Sequence, residues 1–552
     1  LGPNDQQRLV AAIAGAAASA AVPRPRRPWL DELPAIVDPA RLWTRDDARI
    51  PFGLSDDPAQ QRRVEACFLP DVDGHIAFIG TGGSGKSVAL RTLALATAVT
   101  PEGGPVQVYA LDFASGGLRM LEGLPHVGAV IPGEDTERVQ RLLRRLRREL
   151  ADRAERYSAA SAASIAEYRR NAERPDEPRI LLLIDGFPAF REEWDLTLGR
   201  AAWYDVFKDV LGGGRQLGIH VALTADRPGA VPSGVASVVR RRVVLRLTED
   251  AAYSALGAPK DVLDDASPPG RCLVDGLETQ IAVFGAQATV STAADQAGAL
   301  AAYVEAQPAI PVAPPIESLP ALVPAAQMPA RIAGRPVLGI SDETLALTGF
   351  DPSGAFLLSG PPLGGRSNAL AWLVESLHRF DPALELVYLG NARSGLPAAL
   401  PWASTAVHLD DVAALAKELS ARISAASAEG DGGGRLAIVI ESVGEFIQTP
   451  ADQALAELVR QAKRHGHFVL GESEVAGWGG SWPLLAEFKN ARRGLLLQPD
   501  PMEGDLLLKT AIPRTTRTEF PPGRGVYVER GRAARVQIPL TSSAEPPSFH
   551  IP

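Results

Sequence analysis

Residues 80–87 read GTGGSGKS, a pattern whose residue types suit the binding of nucleotide phosphates. Glycines let backbone N–H groups curl around a phosphate, a lysine reaches the terminal phosphates, and a serine hydroxyl ligates Mg²⁺. An apolar run at residues 76–79 precedes the motif and a helical pattern over residues 87–99 follows it, so the loop opens a helix. The motif predicts a site for ATP and Mg²⁺ formed by Gly80, Thr81, Gly82, Gly83, Ser84, Gly85, Lys86 and Ser87.

Two further apolar runs end in residues that would complete this site. Residues 180–184 lead into Asp185, and a carboxylate at the end of a neighbouring strand would hold Mg²⁺ together with Ser87. Thr224 ends another apolar run and offers a hydroxyl to the γ-phosphate. Gly186 follows Asp185, at the position where hydrolytic P-loop ATPases of the additional-strand class usually carry the acid that positions water. We therefore expect ATP binding with little or no hydrolysis.

The chain contains an internal repeat. Residues 28–40 align without a gap on residues 314–326, with six identities in thirteen positions. The same offset of 286 places GLSD at residues 53–56 on GISD at residues 339–342. The proline-rich stretch at residues 308–329 has the composition of a semi-rigid linker, but the repeat indicates that it is the strap that opens a second module.

Within each repeat, short apolar runs alternate with helical patterns. Continuous apolar strands separated by helices indicate a mainly parallel sheet flanked by helices. We therefore expect an α/β fold with two tandem P-loop NTPase modules of the RecA or additional-strand type. The expected divisions are a leading helix or tail at residues 1–27, a module with an intact phosphate loop at 28–307, and a degenerate module with its proline-rich strap at 308–552.

The second module carries an altered copy of the site. Its loop reads GPPLGGRS, in which Arg366 replaces the lysine and keeps the charge but not the compact ammonium. Its metal-binding strand ends at Glu441, Ser442 follows in the position of the catalytic acid, and Glu472 stands where the first module has a threonine. Nucleotide occupancy is left open for this second site, which would comprise Gly360, Gly364, Gly365, Arg366, Ser367 and Glu441.

Composition and charge restrict the class of protein. The 552 residues include 56 Lys plus Arg and 65 Asp plus Glu, and the net charge of −9 argues against a general binder of phosphate backbones. The two cysteines, Cys67 and Cys272, lie far apart, so neither a disulfide framework nor a zinc site is expected. No apolar run reaches the roughly 20 residues that span a bilayer. Because the chain begins at Leu1, we expect it to be a piece of a longer protein.

The combined motifs resemble those of the FtsK/SpoIIIE ATPases. Besides the loop at residues 80–87, they are LDFASGGL at residues 111–118, LPHVG at 124–128, LLLIDGF at 181–187 and GIHVALTADRP at 218–228. Within that family the chain is most similar to EccC, the membrane-anchored motor ATPase of type VII secretion, whose cytoplasmic part is a row of three ATPase modules. The LDF-GG-L and LPHVG pieces, and the strap before each module, favour this branch over the DNA pumps.

The resemblance implies that the chain comprises the second and third modules, in the cytoplasmic portion of a membrane-anchored protein. It implies binding of ATP and Mg²⁺ with little hydrolysis, regulation of a preceding ATPase module of the same full-length chain, and self-association. It also implies that the last module receives the helical C-terminal signal of a secreted Esx-type protein. The alternative is a fragment of an FtsK-like double-stranded DNA translocase, which the acidic composition disfavours, and a third interpretation is a scaffold with a vestigial phosphate loop.

Other features have more than one interpretation each. Arg271 and Arg524, each in a PPGR segment, would reach a nucleotide across an interface or pin a turn, and Arg227 is a further interface candidate. The arginine-rich helix at residues 136–157 would cover the sheet with a solvated outer face, or form a nucleic-acid groove or an intermodule contact. Three aromatic residues near a glycine-rich loop are Trp478, Trp482 and Phe488. They would either form a pocket for a partner helix or pack in the core.

Overall fold

The computed structural model describes residues 2, 4–23, 30–39, 42, 46–100, 102–197, 200–285, 289–306, 312–429, 434–512 and 520–541, with the backbone alone at 427–429. The chain divides into two compact units, Leu1–Glu317 and Ser318–Pro552, which we call the first and second modules. This division falls later than the expected one at residues 307 and 308.

The first module begins with a helix and continues as alternating strands and helices. Its strands are β1 (Ile50–Asp57), β2 (Arg62–Phe68), β3 (Ile76–Ile79), β4 (Val106–Asp112), β5 (Val127–Pro132), β6 (Arg179–Asp185), β7 (Ile219–Ala225), β8 (Arg241–Leu245), β9 (Arg271–Val274) and β10 (Leu277–Ile281). Its helices are α1 (Asp5–Ser19), α2 (Pro70–Asp73), α3 (Lys86–Ala96), α4 (Thr136–Ala159), α5 (Ile165–Asn171), α6 (Phe187–Trp194), α7 (Ala201–Gly213), α8 (Ser233–Ala236), α9 (Asp250–Ala255) and α10 (Val290–Glu305).

In the described part of the first module the strands form one mixed sheet, in the order β2-β1-β10-β9-β8-β3-β7-β6-β4-β5. The neighbours from β8 to β5 are parallel, whereas those from β8 to β2 are antiparallel. Strand β7 lies between β3, which leads into the phosphate loop, and β6, which ends at Asp185. This inserted strand is the topology of the additional-strand class, as predicted.

Helices cover both faces of the parallel part because its strands are apolar on both sides. Every residue of β6 and β7 is buried. Helix α4 packs Leu142, Leu143 and Leu146 against the sheet, as its apolar stripe predicted. The prediction of a solvated arginine face needs one correction, since Arg153 is fully buried and donates to Glu149 and to the Leu217 carbonyl, each over 2.8 Å.

The second module repeats the same plan. Its strands are β11 (Val337–Ser341), β12 (Leu347–Gly349), β13 (Gly354–Gly360), β14 (Glu385–Leu389), β15 (Ser404–Ala406), β16 (Leu436–Ile440), β17 (Phe468–Glu474), β18 (Gly494–Leu497), β19 (Arg524–Glu529) and β20 (Arg532–Gln537). Its helices are α11 (Arg366–Phe380), α12 (Leu396–Ala399), α13 (Leu409–Glu429), α14 (Asp452–Arg464), α15 (Pro483–Lys489) and α16 (Pro501–Leu508). The sheet order among the described residues is β12-β11-β20-β19-β18-β13-β17-β16-β14-β15, which matches the first sheet strand for strand.

The antiparallel half of each sheet is the part that the sequence prediction left out. Strand β2 reads RRVEACF and exposes its first residues, and β10 reads LETQI with its first two residues only partly buried. Such strands lack the continuous apolar runs that mark strands covered on both faces, so their pattern gave no comparable signal. Each sheet is therefore mixed, with a parallel half that carries the phosphate loop.

The strap is held in the same way in both modules. In the first module Arg271 Nη2 donates to the carbonyls of Leu33 and Pro34, over 2.9 and 3.4 Å. The equivalent contacts in the second module run from Arg524 to Leu319 and Pro320. These strap residues are related by the offset of 286 in the sequence. The repeat in the sequence thus corresponds to a repeat of contacts.

Residues 312–317, at the start of the proline-rich stretch, belong to the first module. Ala313 N–H donates to the Pro125 carbonyl over 2.8 Å, and the Tyr109 hydroxyl donates to the Pro314 carbonyl over 3.0 Å. Ile316 is buried in the core of this module. This segment therefore fills a groove beside β4 and β5.

Helix α1 begins at a capping box, in which Asn4 and Gln7 bond each other's backbone N–H groups, and none of its residues is buried. Among the described residues, no helix is both long and apolar enough to cross a membrane.

Candidate nucleotide-binding site

The phosphate loop connects β3 to α3 and is shaped by a glycine at its end. Gly85 has φ of +106°, and a Cβ at this position would lie 2.8 Å from the backbone N of Gly270. The two backbone segments lie this close because Gly270 N–H donates a hydrogen bond to the Ser84 carbonyl over 2.8 Å. At the start of the loop, Thr81 N–H donates to the Arg246 carbonyl over 2.9 Å. The loop is thus fixed from outside by the segments that follow β8 and precede β9.

Lys86 begins α3 and folds back over the loop. Its Nζ donates to the carbonyls of Gly80 and Thr81, over 2.6 and 2.7 Å. Partial burial lowers the pKa of Lys86, and the charges of Asp185 and Asp226 oppose that shift. Its two hydrogen-bond acceptors are neutral, so a phosphate oxygen would be a stronger acceptor for this ammonium.

Ser87, Asp185 and Thr224 form one hydrogen-bonded group below the loop. Ser87 Oγ donates to Asp185 Oδ2 over 2.6 Å, and Thr224 Oγ1 donates to Asp185 Oδ1 over 2.7 Å. Asp185 and Thr224 are buried, whereas Ser87 is partly exposed at the start of α3. The structure therefore brings together the predicted hydroxyl and carboxylate ligands of Mg²⁺.

Thr224 contacts two neighbouring groups in this structure, and its contact with a γ-phosphate stays a prediction. A threonine hydroxyl carries a single hydrogen, and that of Thr224 is directed at Asp185. The same oxygen accepts the N–H of Gly186 over 2.8 Å. Thr224 thus positions Asp185 and the backbone after β6 in this structure.

A side chain at Gly186 would be crowded by the neighbouring backbone and would need a left-handed conformation. Its φ is +77°, and a Cβ there would lie 3.0 Å from the carbonyl carbon and oxygen of Phe113. In the second module Ser442 holds the equivalent place with φ of +56°. Both modules therefore lack an acid at the position where hydrolytic relatives place one, and the backbone of the first module would resist adding one.

The first loop fits a nucleotide with Mg²⁺. A Cβ added at Gly82 or Gly83 meets nothing within 4 Å, so this part of the loop is open. The Ser84 hydroxyl is buried and has no hydrogen-bond partner in the structure as described. Ser87 and Asp185 supply oxygen ligands of the kind that Mg²⁺ takes beside phosphates. Lys86 and the loop N–H groups would hold the phosphates.

The second loop keeps the backbone geometry of the first. Gly365 has φ of +95°, and a Cβ there would lie 3.0 Å from the N of Gly523. Gly523 N–H donates to the Gly364 carbonyl over 3.4 Å. Ser442 N–H donates to Glu472 Oε2 over 3.1 Å, just as the equivalent N–H donates to the threonine of the first module. The two loops can therefore be compared residue by residue.

Its side chains make different contacts. Arg366 Nη1 donates to Glu472 Oε1 over 2.6 Å, and Nη2 donates to Glu474 Oε1 over 2.8 Å. Burial raises the pKa of Glu472, and the charge of Arg366 opposes that shift. The hydroxyl of Tyr388 donates to Glu441. The predicted phosphate ligand and the predicted metal ligand thus both have protein partners.

Two members of the predicted second site line one cavity but do not contact each other. Ser367 and Glu441 both line a cavity of about 510 Å³ beside the start of α11. No hydrogen bond joins these two side chains in the part of the chain that the structure describes. The serine–carboxylate contact of the first module, between Ser87 and Asp185, therefore has no equivalent here.

The arginines predicted at interfaces fall into two groups. Arg271 and Arg524 bind the strap of their own module, and Arg271 also pairs with Glu278. These contacts match the interpretation that each arginine pins a turn. Arg227 follows β7 and is exposed, so its interface role stays a prediction.

The aromatic group of the second module is mostly core. Trp478 and Phe488 are buried and pack against each other with ring centroids 5.7 Å apart. Of the two interpretations, core packing therefore holds for these two residues and the open pocket does not, because the helix that carries Phe488 closes over the sheet. Trp482 remains partly exposed, at 38%.

One residue that shapes the site was not predicted. Asp112, at the end of β4, accepts the backbone N–H groups of Ala114, Gly116 and Leu118. These bonds fold the loop of the LDFASGGL segment so that Gly117 lies beside Ser87, the nearest distance from an added Cβ being 3.7 Å. An aspartate followed by a glycine-containing loop was the available signal.

Fold and site together define a pair of tandem P-loop ATPase modules of the additional-strand class. Residues 33–260 match the model of the FtsK/SpoIIIE family. The chain as a whole is similar to the EccC and YukB ATPases of type VII secretion. The resemblance inferred from the motifs is therefore confirmed.

Individual relatives cover different shares of the chain. The ESX secretion system protein EccC of Thermomonospora curvata is 27% identical over 519 residues, which are 88% of this chain and 38% of the relative. EccC4 of the ESX-4 system of Mycobacterium tuberculosis is 30% identical over 307 residues, 54% of this chain and 23% of the relative. This chain thus spans less than half the length of these two proteins.

A solved structure shows the same fold. The structure of ATPases 2 and 3 of Thermomonospora curvata EccC, in complex with a signal sequence peptide, has a TM-score of 0.69 and 24% identity. The match covers 89% of this chain and 93% of that one.

Proposed function

We propose that the chain is the ATP-binding, regulatory and substrate-receiving part of a type VII secretion motor ATPase. It would correspond to the second and third modules of such a motor and lie on the cytoplasmic side of a membrane-anchored protein. Its partners would be a preceding ATPase module of the same full-length chain, further copies of itself, and a secreted Esx-type protein. The division into a leading segment, a module with an intact phosphate loop and a degenerate module is part of this proposal, with residues 312–317 assigned to the first module.

The proposal that the first module binds ATP is supported most directly by the contact of Ser87 with Asp185 below an open phosphate loop. The hydroxyl and carboxylate are 2.6 Å apart, and Lys86 lies at the loop with only neutral acceptors. This arrangement supports ATP and Mg²⁺ as ligands of the first module. When bound, Mg²⁺ would neutralise phosphate charge between α3 and β6.

Weak or absent hydrolysis follows from the positions after the metal-binding strands. Gly186 and Ser442 carry no acid, and the backbone of Phe113 blocks a longer side chain at Gly186. A bound nucleotide would therefore act mainly as a link between the loop and β6, because water lacks a positioned base.

The groove filled by residues 312–317 supports reception of a peptide by the second module. In the first module this segment lies on Pro125, which precedes β5, and is anchored by the buried Ile316. The segment LP recurs at residues 400 and 401, before β15 of the second module. Because the two modules share one fold, the equivalent groove of the second module suits a peptide segment with an aliphatic anchor.

That second groove is exposed in the part of the module that the structure describes. Pro401, Ala403 and Thr405 are exposed, and Leu409 at the start of α13 is 46% exposed. We propose that the helical C-terminal signal of a secreted protein binds here, instead of at the buried Trp478 and Phe488. The complex of a signal sequence peptide with ATPases 2 and 3 of the Thermomonospora curvata relative supports this choice of ligand class.

Two measurements on the purified chain test the proposal. Mg²⁺-ATP binding by calorimetry should fall at least tenfold in Lys86→Ala, and phosphate release should stay far below that of hydrolytic family members. Unchanged binding in Lys86→Ala would contradict the site. Phosphate release that double-stranded DNA stimulates strongly would support the DNA-translocase alternative.

The docking groove is tested separately with a fluorescent peptide copied from the C-terminal signal of an Esx-type protein. Leu409→Glu should weaken peptide binding at least tenfold, whereas Trp482→Ala, at the other exposed hydrophobic candidate, should leave it unchanged. The reverse result would place the peptide at the aromatic group.

A further inference from the structure

The second phosphate loop differs from the first at residues 361–363 and at the cation, although its backbone geometry is retained. Pro361 and Pro362 stand where the first module has Thr81 and Gly82, and proline has no N–H to donate. Leu363 stands in the place of Gly83, has φ of +61° and is 97% exposed. The second loop therefore lacks an N–H at residues 361 and 362, and it has an exposed leucine side chain in the place of Gly83.

The cation of the second loop is already neutralised by the protein. Arg366 binds Glu472 and Glu474 over 2.6 and 2.8 Å, and its side chain is only 18% exposed. Glu472 is buried and also accepts the N–H of Ser442, so it is held from two sides. An incoming triphosphate would have to displace a paired carboxylate and would meet two carboxylates of the same sign.

The carboxylate at the end of β16 also has a different partner from its equivalent in the first module. Glu441 receives its hydrogen bond from Tyr388 and not from Ser367. The ion pair instead joins the start of α11 to β17, the strand beside the metal-binding strand β16. That is a link between the loop and the sheet of the kind that a bound nucleotide would provide in the first module.

We propose that Arg366 with Glu472 and Glu474 is a built-in replacement for nucleotide, so that the second module binds no nucleoside triphosphate and each chain takes up a single Mg²⁺-ATP. This inference rests on the proposed function of the first module, because it contrasts the two loops. The ion pairs of Arg366 hold the second loop against the sheet whether or not ATP is present. Only the first module would then respond to the concentration of ATP.

The experiment counts binding sites with ATPγS and Mg²⁺ by equilibrium dialysis on nucleotide-free protein. The expected results are one site per wild-type chain, loss of that site in Lys86→Ala, and one site with affinity within about twofold in Arg366→Ala. Two sites in the wild type, one of them lost in Arg366→Ala, would overturn the replacement and leave the first site intact. One site that persists in Lys86→Ala and disappears in Arg366→Ala would instead contradict the proposed function.

A second variant tests the link itself. Glu472→Gln keeps an acceptor for the Ser442 N–H but removes the charge partner of Arg366. It should lower the thermal midpoint of the second module, and added Mg²⁺-ATP should not restore that midpoint. Restoration by ATP would show that nucleotide enters this loop and would overturn the inference.

Discussion

Thr224→Val separates positioning of the metal-binding carboxylate from direct contact with a phosphate. The substitution keeps the branched shape of a fully buried side chain and removes only the hydroxyl. Asp185 then loses the donor at 2.7 Å, and Gly186 N–H loses its acceptor at 2.8 Å. Thr224→Ser is the matched control, because it keeps the hydroxyl and loses one methyl group.

The expected magnitudes differ between the two variants. A buried N–H without a partner costs about 1–3 kcal/mol, and a hydrogen bond to a charged group contributes about 1.5–3 kcal/mol. Allowing for partial relaxation, the free energy of unfolding of the first module should fall by roughly 2–4 kcal/mol in the valine variant. The serine variant should lose about 1 kcal/mol for one methyl group.

Binding of Mg²⁺-ATP should follow the same order. With Asp185 less well oriented, affinity in Thr224→Val should fall about tenfold, which is about 1.4 kcal/mol, and stay within about threefold in Thr224→Ser. Urea denaturation and calorimetry measure the two quantities. Equal losses in both variants would refute the positioning role. A valine variant that binds ADP normally and discriminates only against ATP would show a direct contact with the γ-phosphate.

Three further predictions concern the backbone, the strap and pH. Gly186→Ala should destabilise the first module by about 1–3 kcal/mol, because φ is +77° and the added Cβ meets Phe113; Gly212→Ala, at a helical glycine with nothing within 4 Å, is the control for denaturation. Arg524→Gln should cost the second module about 1–3 kcal/mol by releasing the strap carbonyls, and an unchanged denaturation midpoint would contradict this. Burial lowers the pKa of His126 from 6.5 to about 4, so unfolding takes up a proton and stability falls as pH drops from 6.5 towards 4. His126 should contribute up to roughly 1.4 kcal/mol per pH unit to this slope, beside the other buried histidines His75 and His220, and His126→Gln should remove that share.

The parallel core and the first loop could be predicted because their signals are local. Residues 76–79 and β3 coincide, and the loop motif places Lys86 and Ser87 at the start of a helix whatever the rest of the chain does. Asp185 could be assigned because a carboxylate after an all-apolar strand has few other uses at that edge of a sheet. The sequence did not decide which groups Arg271 and Arg524 contact, since an arginine in a turn has many partners within reach.

Features that depend on tertiary neighbours could not be predicted. The hydroxyl of Thr224 points at Asp185 only because β7 is inserted beside β6. Trp478 and Phe488 are buried because α15 folds back over the sheet, which a glycine-rich sequence does not reveal. The pairing of Arg366 with Glu472 joins residues that are 106 positions apart, and the parallel pairing of β13, which leads into the loop, with β17 makes them neighbours.

A crystal structure of the chain with ATPγS and Mg²⁺ would show directly which phosphate loop binds nucleotide. We expect nucleotide at Lys86, with Mg²⁺ beside Ser87 and Asp185, and an intact ion pair between Arg366 and Glu472. An empty first loop, or nucleotide bound at Arg366 with that ion pair broken, would contradict it.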